Sequence, residues 1–129
     1  MIVLDTHVWI WWVHDDPRLS PSHRDVIHQH ENDRIGVSAI SCWEVAKLVE
    51  RGRLELPVPL RDWMKGALRY PGVALLGITP DIAIDSTQLP GEFHRDPADQ
   101  IIVATARASE CPLLSADAKI VAYPHVKVI

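Results

Sequence analysis

Five carboxylates fall where one secondary-structure element hands over to the next. Asp5 ends the opening apolar run Ile2-Val3-Leu4. Glu44 lies in the first turn of a helix, Asp96 and Asp99 stand at the cap and third position of another, and Asp117 follows the apolar run Pro112 to Ser115. In a parallel α/β domain, strand C-termini and helix N-termini share one edge of the sheet, the edge at which such folds hold ligands. Acids gathered there repel one another unless a cation binds them. Hard divalent ions such as Mg2+ take oxygen ligands and keep several waters, so the pattern suggests an acidic divalent-metal site.

Each acid also has a structural explanation. Glu44 and Asp99 at N3 would satisfy an orphan N–H and complement the helix dipole. Asp96 before Pro97 is a common N-cap, and Asp5 and Asp117 could be turn residues. Asp99 stands apart because helical spacing puts it in line with Ile102, Val103 and Ala106. An inward-pointing acid with no basic neighbour reads as a ligand. There is no nucleophilic serine elbow, glycine-rich phosphate loop or zinc cluster.

The elements that must position these acids alternate in type. Ile2 to Leu4 is a buried strand, and Thr6 to Val13 a short, largely buried helix ended by Asp15-Asp16-Pro17. Ser20-Pro21 caps a polar helix to about Asn32. Its neighbourhood holds His14, His23, His28 and His30, which lack metal-site spacing and read as solvated. Ile35 to Val37 is a strand. Ser38 or Ser41 opens the next helix, Ser41 with Glu44 fitting a capping box, and Gly52 closes it. Leu54 to Pro57 is an extended link and Leu60 to Tyr70 a helix. Val73 to Leu76 reads as a buried strand, Asp81 to Thr87 as a helix after Thr79-Pro80, and Leu89 to Arg95 as a loop. Ala98 to Ser109 is the most helical segment. Pro112 to Ser115 is a strand, Ala118 to Ala122 one helical turn, and Val126 to Val128 a final strand. The alternation predicts an α/β fold, a central parallel sheet flanked by helices on both faces, in one domain over 1–129.

Bulk properties narrow the function. The 129 residues, 47% hydrophobic and 23% charged, suit one globular domain. No run is long enough to span a membrane, and Asp5 interrupts the N-terminal apolar run in a way that argues against a signal peptide. Cys42 and Cys111 lack zinc-like or CxxC spacing and read as small core residues in a reducing cytosol. A net charge of −4, from 13 basic and 17 acidic residues, argues against broad electrostatic binding to nucleic acid. It leaves room for a nucleic-acid enzyme whose acids are neutralised by metal.

Four segments in order, Met1 to His7, Val37 to Glu44, His94 to Ala106 and Leu114 to Asp117, together resemble PIN-domain proteins, above all the VapC-type toxins of bacterial toxin–antitoxin pairs. The resemblance spans essentially the whole chain. It implies a cytoplasmic, Mg2+- or Mn2+-dependent endoribonuclease on a parallel sheet. The family's acidic quartet falls on Asp5, Glu44, Asp99 and Asp117. Asp96 matches an extra acid of the DPxD subgroup, and Thr6 and Ser115 match hydroxyl positions beside the metal. Gln100 departs from the subgroup's usual arginine, which puts a basic substrate contact there in doubt.

On this basis the expected chemistry is metal-assisted phosphodiester hydrolysis. Asp5 and Asp99 would be direct ligands, and Glu44 and Asp117 would hold waters or a second ion. Lys47, Arg51 and Arg53 could touch RNA backbone, although a solvated helix face explains them equally well. The resemblance also implies an inhibitory antitoxin of the VapB type and a homodimer. The abundance of tryptophan, at Trp9, Trp11, Trp12, Trp43 and Trp63, fits an interface as well as a core. Two alternatives compete. A receiver-like phosphoacceptor domain would want an acidic pair after the first strand and an aspartate after a middle one. An interaction module would use its acids only as caps.

Overall fold

Ile2, Val3 and Leu4 have no solvent-exposed surface, which three residues achieve only with sheet neighbours on both edges and packed layers on both faces. The computed structural model describes residues 1–129 and supplies both. Strand β1 (Ile2–Leu4) lies inside a four-stranded parallel sheet of order β3-β2-β1-β4, with β2 (Ile35–Ser38), β3 (Val73–Leu76) and β4 (Leu113–Leu114). The register sets Leu4 opposite Val37 on one side and Leu114 on the other.

Successive strand residues face opposite ways. Ile2 and Leu4 therefore join a core with Ile35, Val37, Trp9, Ile10 and Ile27, whereas Val3 joins a second core with Ile102, Val103 and Ala106. Helices α1 (Thr6–Val13), α2 (Pro21–His30) and α4 (Leu60–Leu68) cover the first face, and α6 (Pro97–Ala108) and α7 (Ala118–Val121) the second. Helix α3 (Ala39–Glu50) bridges them, sending Val45 to the first core and Ile40 to the second. Helix α5 (Pro80–Ser86) packs on α6. Burying one such aliphatic side chain stabilises the fold by roughly 1.5–3 kcal/mol.

Turn chemistry ends the helices where their sequence stops them. After α3, Gly52 takes φ 68°, and the N–H of Arg53 reaches the carbonyl of Leu48 at 2.9 Å. The same closure ends α1 with Asp15 at φ 50° and α6 with Glu110 at φ 51°, non-glycine residues in the left-handed region. Gly72, at φ 86° before β3, has the Glu31 carbonyl oxygen 2.6 Å from where a Cβ would sit, so a side chain there is excluded twice over.

Several expectations need correction. Strand β3 is an edge strand, not a buried one; its outer side is unpaired and Leu75 is 55% exposed. Residues 126–128 form no strand beyond a single bridge from Val128 to Leu113. His14 is not simply solvated, because Trp63 Nε1 donates to its Nε2 at 2.8 Å. Trp9 and Trp63 are core residues in edge-to-face contact at 5.2 Å, Trp11 and Trp12 are half-buried, and Trp43 is 52% exposed.

Candidate active site

The C-terminal ends of β1, β2 and β4 run straight into helix caps. Asp5 caps α1, Ser38 caps α3 and Asp117 caps α7, and Asp96 caps α6 across the same sheet edge. Cap geometry thus brings the acids together. A cap side chain satisfies an orphan N–H at the positive end of a helix, a place that also favours negative charge.

Asp5 is only 4% exposed. Its Oδ1 accepts the Thr6 N–H at 2.8 Å and its Oδ2 accepts the Ser115 hydroxyl at 2.8 Å. A carboxylate offers about four lone-pair directions, so both oxygens keep capacity for a further partner. Burial raises its affinity for protons, the hydrogen bonds from Ser115 and Thr6 oppose that, and the nearby Asp117 charge adds to it. Ser115, itself 2% exposed, also accepts the Asp117 N–H at 3.0 Å, tying the Asp117 loop to Asp5.

Glu44 does not sit where a capping box would put it. Ser38, the last residue of β2, is the N-cap, its Oγ accepting the Ile40 N–H at 3.2 Å. The helix therefore starts three residues early for that motif, and Glu44 falls in the second turn. Ser41 is fully buried and faces Thr6 instead of capping. Thr6 Oγ1 lies 2.5 Å from Glu44 Oε1 and 2.8 Å from Ser41 Oγ. One hydroxyl proton serves one acceptor, so with Glu44 ionised Thr6 donates to Glu44 and Ser41 donates to Thr6. Glu44 Oε2 has no side-chain donor. Burial is the main force pushing the Glu44 carboxyl up to about 7; Thr6 opposes it, and the charges of Asp99, Asp5 and Asp96 reinforce it.

Asp99 sits on α6 as expected, half-buried, with His94 Nε2 2.7 Å from its Oδ2. Its carboxyl is also raised, by burial first, against the hydrogen bond from His94 and with the charges of Asp5 and Asp96. Asp96 is exposed and holds the Asp99 N–H at 3.1 Å. Asp117 is exposed too, and its Oδ1 accepts the N–H groups of Lys119 and Ile120 at 2.8 and 3.2 Å.

Asp5, Glu44, Asp96 and Asp99 therefore share one electrostatic field, and Asp117 bears on Asp5. No Lys or Arg pairs with any of the five; the sole imidazole partner is His94 on Asp99. No three Asp, Glu, His or Cys side chains converge tightly enough to cage an ion by themselves. The donors on offer are chiefly carboxylate oxygens, the chemistry of a hard cation that takes one or two of them and keeps several waters; the cysteine and histidine set of a structural zinc site is missing. Two contributors carried no clear sequence signal. His94 lay in a loop, and Ser41 was masked by its resemblance to a cap.

Comparison with known proteins bears on the family and the fold. The PIN domain family model matches residues 2–126. Ribonuclease VapC22 of Mycobacterium tuberculosis is 34% identical over 128 residues, covering 99% of this chain and 95% of the relative. Among solved structures, the VapBC2 complex of Rickettsia felis bound to a promoter DNA fragment superposes with a TM-score of 0.71 at 14% identity, covering 100% of this chain and 98% of the other. FitAcB from Neisseria gonorrhoeae superposes at 0.69 with 22% identity, over 100% and 96%. DNA-bound VapBC from Salmonella typhimurium does so at 0.70 with 18%, over 99% and 96%. These likenesses support the fold, while the family match and the 34% relative reach further. On that ground, this chain belongs to the PIN-domain family.

Proposed function

We propose that this chain is a divalent-metal-dependent endoribonuclease, using Mg2+ or Mn2+, and the toxin of a toxin–antitoxin pair, with residues 1–129 acting as one domain. The observation that carries the reading is the cluster of Asp5, Glu44 and Asp99, whose charges bear on one another. All three carboxyls are held above their usual range, and none has a lysine or arginine partner. The 34% identical ribonuclease supports the substrate class.

Asp5 and Asp99 would hold the cation directly, with Glu44 and Asp117 contacting its waters or a second ion and Asp96 at the rim. When bound, the cation offsets the carboxylate charge, polarises the phosphodiester and eases deprotonation of the attacking water. The protein's own part is positioning. Ser115 and the Thr6 N–H fix Asp5, Thr6 and Ser41 fix Glu44, and His94 fixes Asp99. Glu44 Oε2 is left free to take or give up a proton, at a carboxyl whose proton affinity lies near neutrality.

The receiver-like alternative loses its footing, since β1 is followed by Asp5 alone and not by an acidic pair, and β2, the other inner strand, ends in Ser38 and runs into Ala39 with no aspartate. The partners in this reading are RNA, a VapB-type antitoxin and a second copy of the chain in the bacterial cytoplasm. No helix is long and apolar enough to cross a membrane. Expression alone should arrest bacterial growth, and co-expression of the protein from the adjacent small gene should restore it. Undisturbed growth with abundant folded protein would contradict the toxin role, and a monomer by light scattering at micromolar concentration would remove the dimer.

A further inference from the structure

Trp43 is the one exposed indole in the chain, and it stands beside Glu44 on the rim of a groove of about 360 Å3. The groove runs between α3 and the start of α6. Leu48 and Ala98 help to line it, and so do Glu44 and Asp96, two members of the acidic cluster. Helical spacing sets Trp43, Lys47 and Arg51 in one row along the rim, each about 6 Å from the next along the axis. Lys47 Nζ lies 5.8 Å from the centre of the Trp43 ring. Its only ion pair is with Glu50, which is 67% exposed, a surface contact easily exchanged for another anion. Arg51 has no carboxylate partner.

Packing does not account for this arrangement, because an indole that is half in water contributes little burial. A cation row beside a free aromatic face, leading into a phosphodiesterase site, is how single-stranded nucleic acid is held: bases stack on the ring and phosphates meet the cations. The groove volume falls within the range of small-ligand pockets. We infer that the Trp43–Lys47–Arg51 row is a substrate subsite that stacks an unpaired base next to the scissile phosphate and holds the flanking backbone. The inference rests on the ribonuclease reading and adds which side chains grip the RNA beside the cut. It also assigns a role to Trp43 separate from that of its neighbour Glu44.

The test is fluorescence anisotropy with a labelled, mixed-sequence single-stranded octaribonucleotide, in an Asp99→Asn background so that the probe survives. Adding Trp43→Ala should weaken binding roughly 5- to 150-fold, the size of one base–aromatic stack. Trp43→Phe should recover most of it. The double variant Lys47→Ala/Arg51→Ala should weaken binding and reduce the slope of log K against log salt by about 1.4, two single-strand phosphate contacts. An abasic octamer should lose its sensitivity to Trp43. Unchanged affinity in Trp43→Ala and in the double variant overturns the subsite, and so does loss of antitoxin capture by Trp43→Ala with RNA binding intact. Cleavage by the otherwise wild-type chain is read in parallel. Its absence counts against the nuclease, whereas cleavage with Trp43-independent binding counts against the subsite alone.

Discussion

Ser115 donates its hydroxyl to Asp5 Oδ2 at 2.8 Å, joining two residues 110 positions apart in the chain. The contact follows from register. Leu4 pairs with Leu114, so the next residue of each strand meets at the sheet edge. Ser115→Ala would leave a buried carboxylate oxygen without its donor and release the Asp117 N–H. Because a hydrogen bond to a charged group contributes more than a neutral one, the expected loss is about 1.5–3 kcal/mol in urea unfolding at pH 7. RNA cleavage should fall as well, whereas Ser115→Thr, which keeps the hydroxyl, should recover part of both.

His94 holds Asp99 from the loop before α6. Residues that orient a metal ligand commonly matter 10- to 100-fold. His94→Ala should raise the Mn2+ concentration needed for half-maximal cleavage by about that factor, with little change in maximal rate once metal saturates. His94→Gln, which retains a donor, should recover part of the affinity. An unchanged metal titration would remove His94 from the site.

Asp96 combines a cap with a charge. Asp96→Asn keeps the acceptor for the Asp99 N–H and should leave stability unchanged, with substantial cleavage surviving. Asp96→Ala loses the cap and should cost roughly 0.5–2 kcal/mol. Thermal melts and cleavage assays on the two variants separate the roles.

The fold itself was legible because its signals are local. Ile2-Val3-Leu4, the prolines at the start of α2, α5 and α6, and Gly52 each state their role within a few residues. What misled was ambiguity between equivalent local signals. Ser38 and Ser41 both make acceptable caps, and the choice depends on where β2 ends, which is a pairing property. Val73 to Leu76 is apolar enough for an inner strand, yet nothing in four residues tells an edge from a centre. Asp5, Asp99 and Asp117 were readable from their junction positions. The contacts of Thr6 with Ser41 and of His94 with Asp99 were not, because they join elements whose spacing only the tertiary fold sets.

Glu44 links the site to pH. Its carboxyl is raised to about 7 in the folded chain against about 4.5 for an ordinary glutamate, with burial as the main cause. A raised folded-state value means the folded chain binds the proton more tightly. The stability it contributes is full below about pH 4.5 and is lost as pH rises through about 7. Asp5 and Asp99 are raised in the same direction. Metal-free protein should therefore melt at a higher temperature at pH 5.5 than at pH 8, by roughly 1–3 kcal/mol of stability. Adding Mn2+ should stabilise it more at pH 8, where the carboxylates are ionised. Glu44→Gln should flatten the pH dependence, and a melting temperature that climbs from pH 5.5 to 8 without metal would contradict this reading.

The central claim is that Asp5 and Asp99 carry a cation-dependent RNA hydrolysis, and RNA cleavage against Mg2+ and Mn2+ concentration tests it most directly. Asp5→Asn and Asp99→Asn keep side-chain shape while removing charge, and asparagine at 5 keeps an acceptor for the Thr6 N–H, so melts should show folded proteins, with Asp99→Asn of equal or greater stability. The expected result is cleavage by the wild-type chain that rises with metal, vanishes in excess EDTA and is abolished by either substitution. Equal cleavage in EDTA, or full activity in Asp99→Asn, would contradict it.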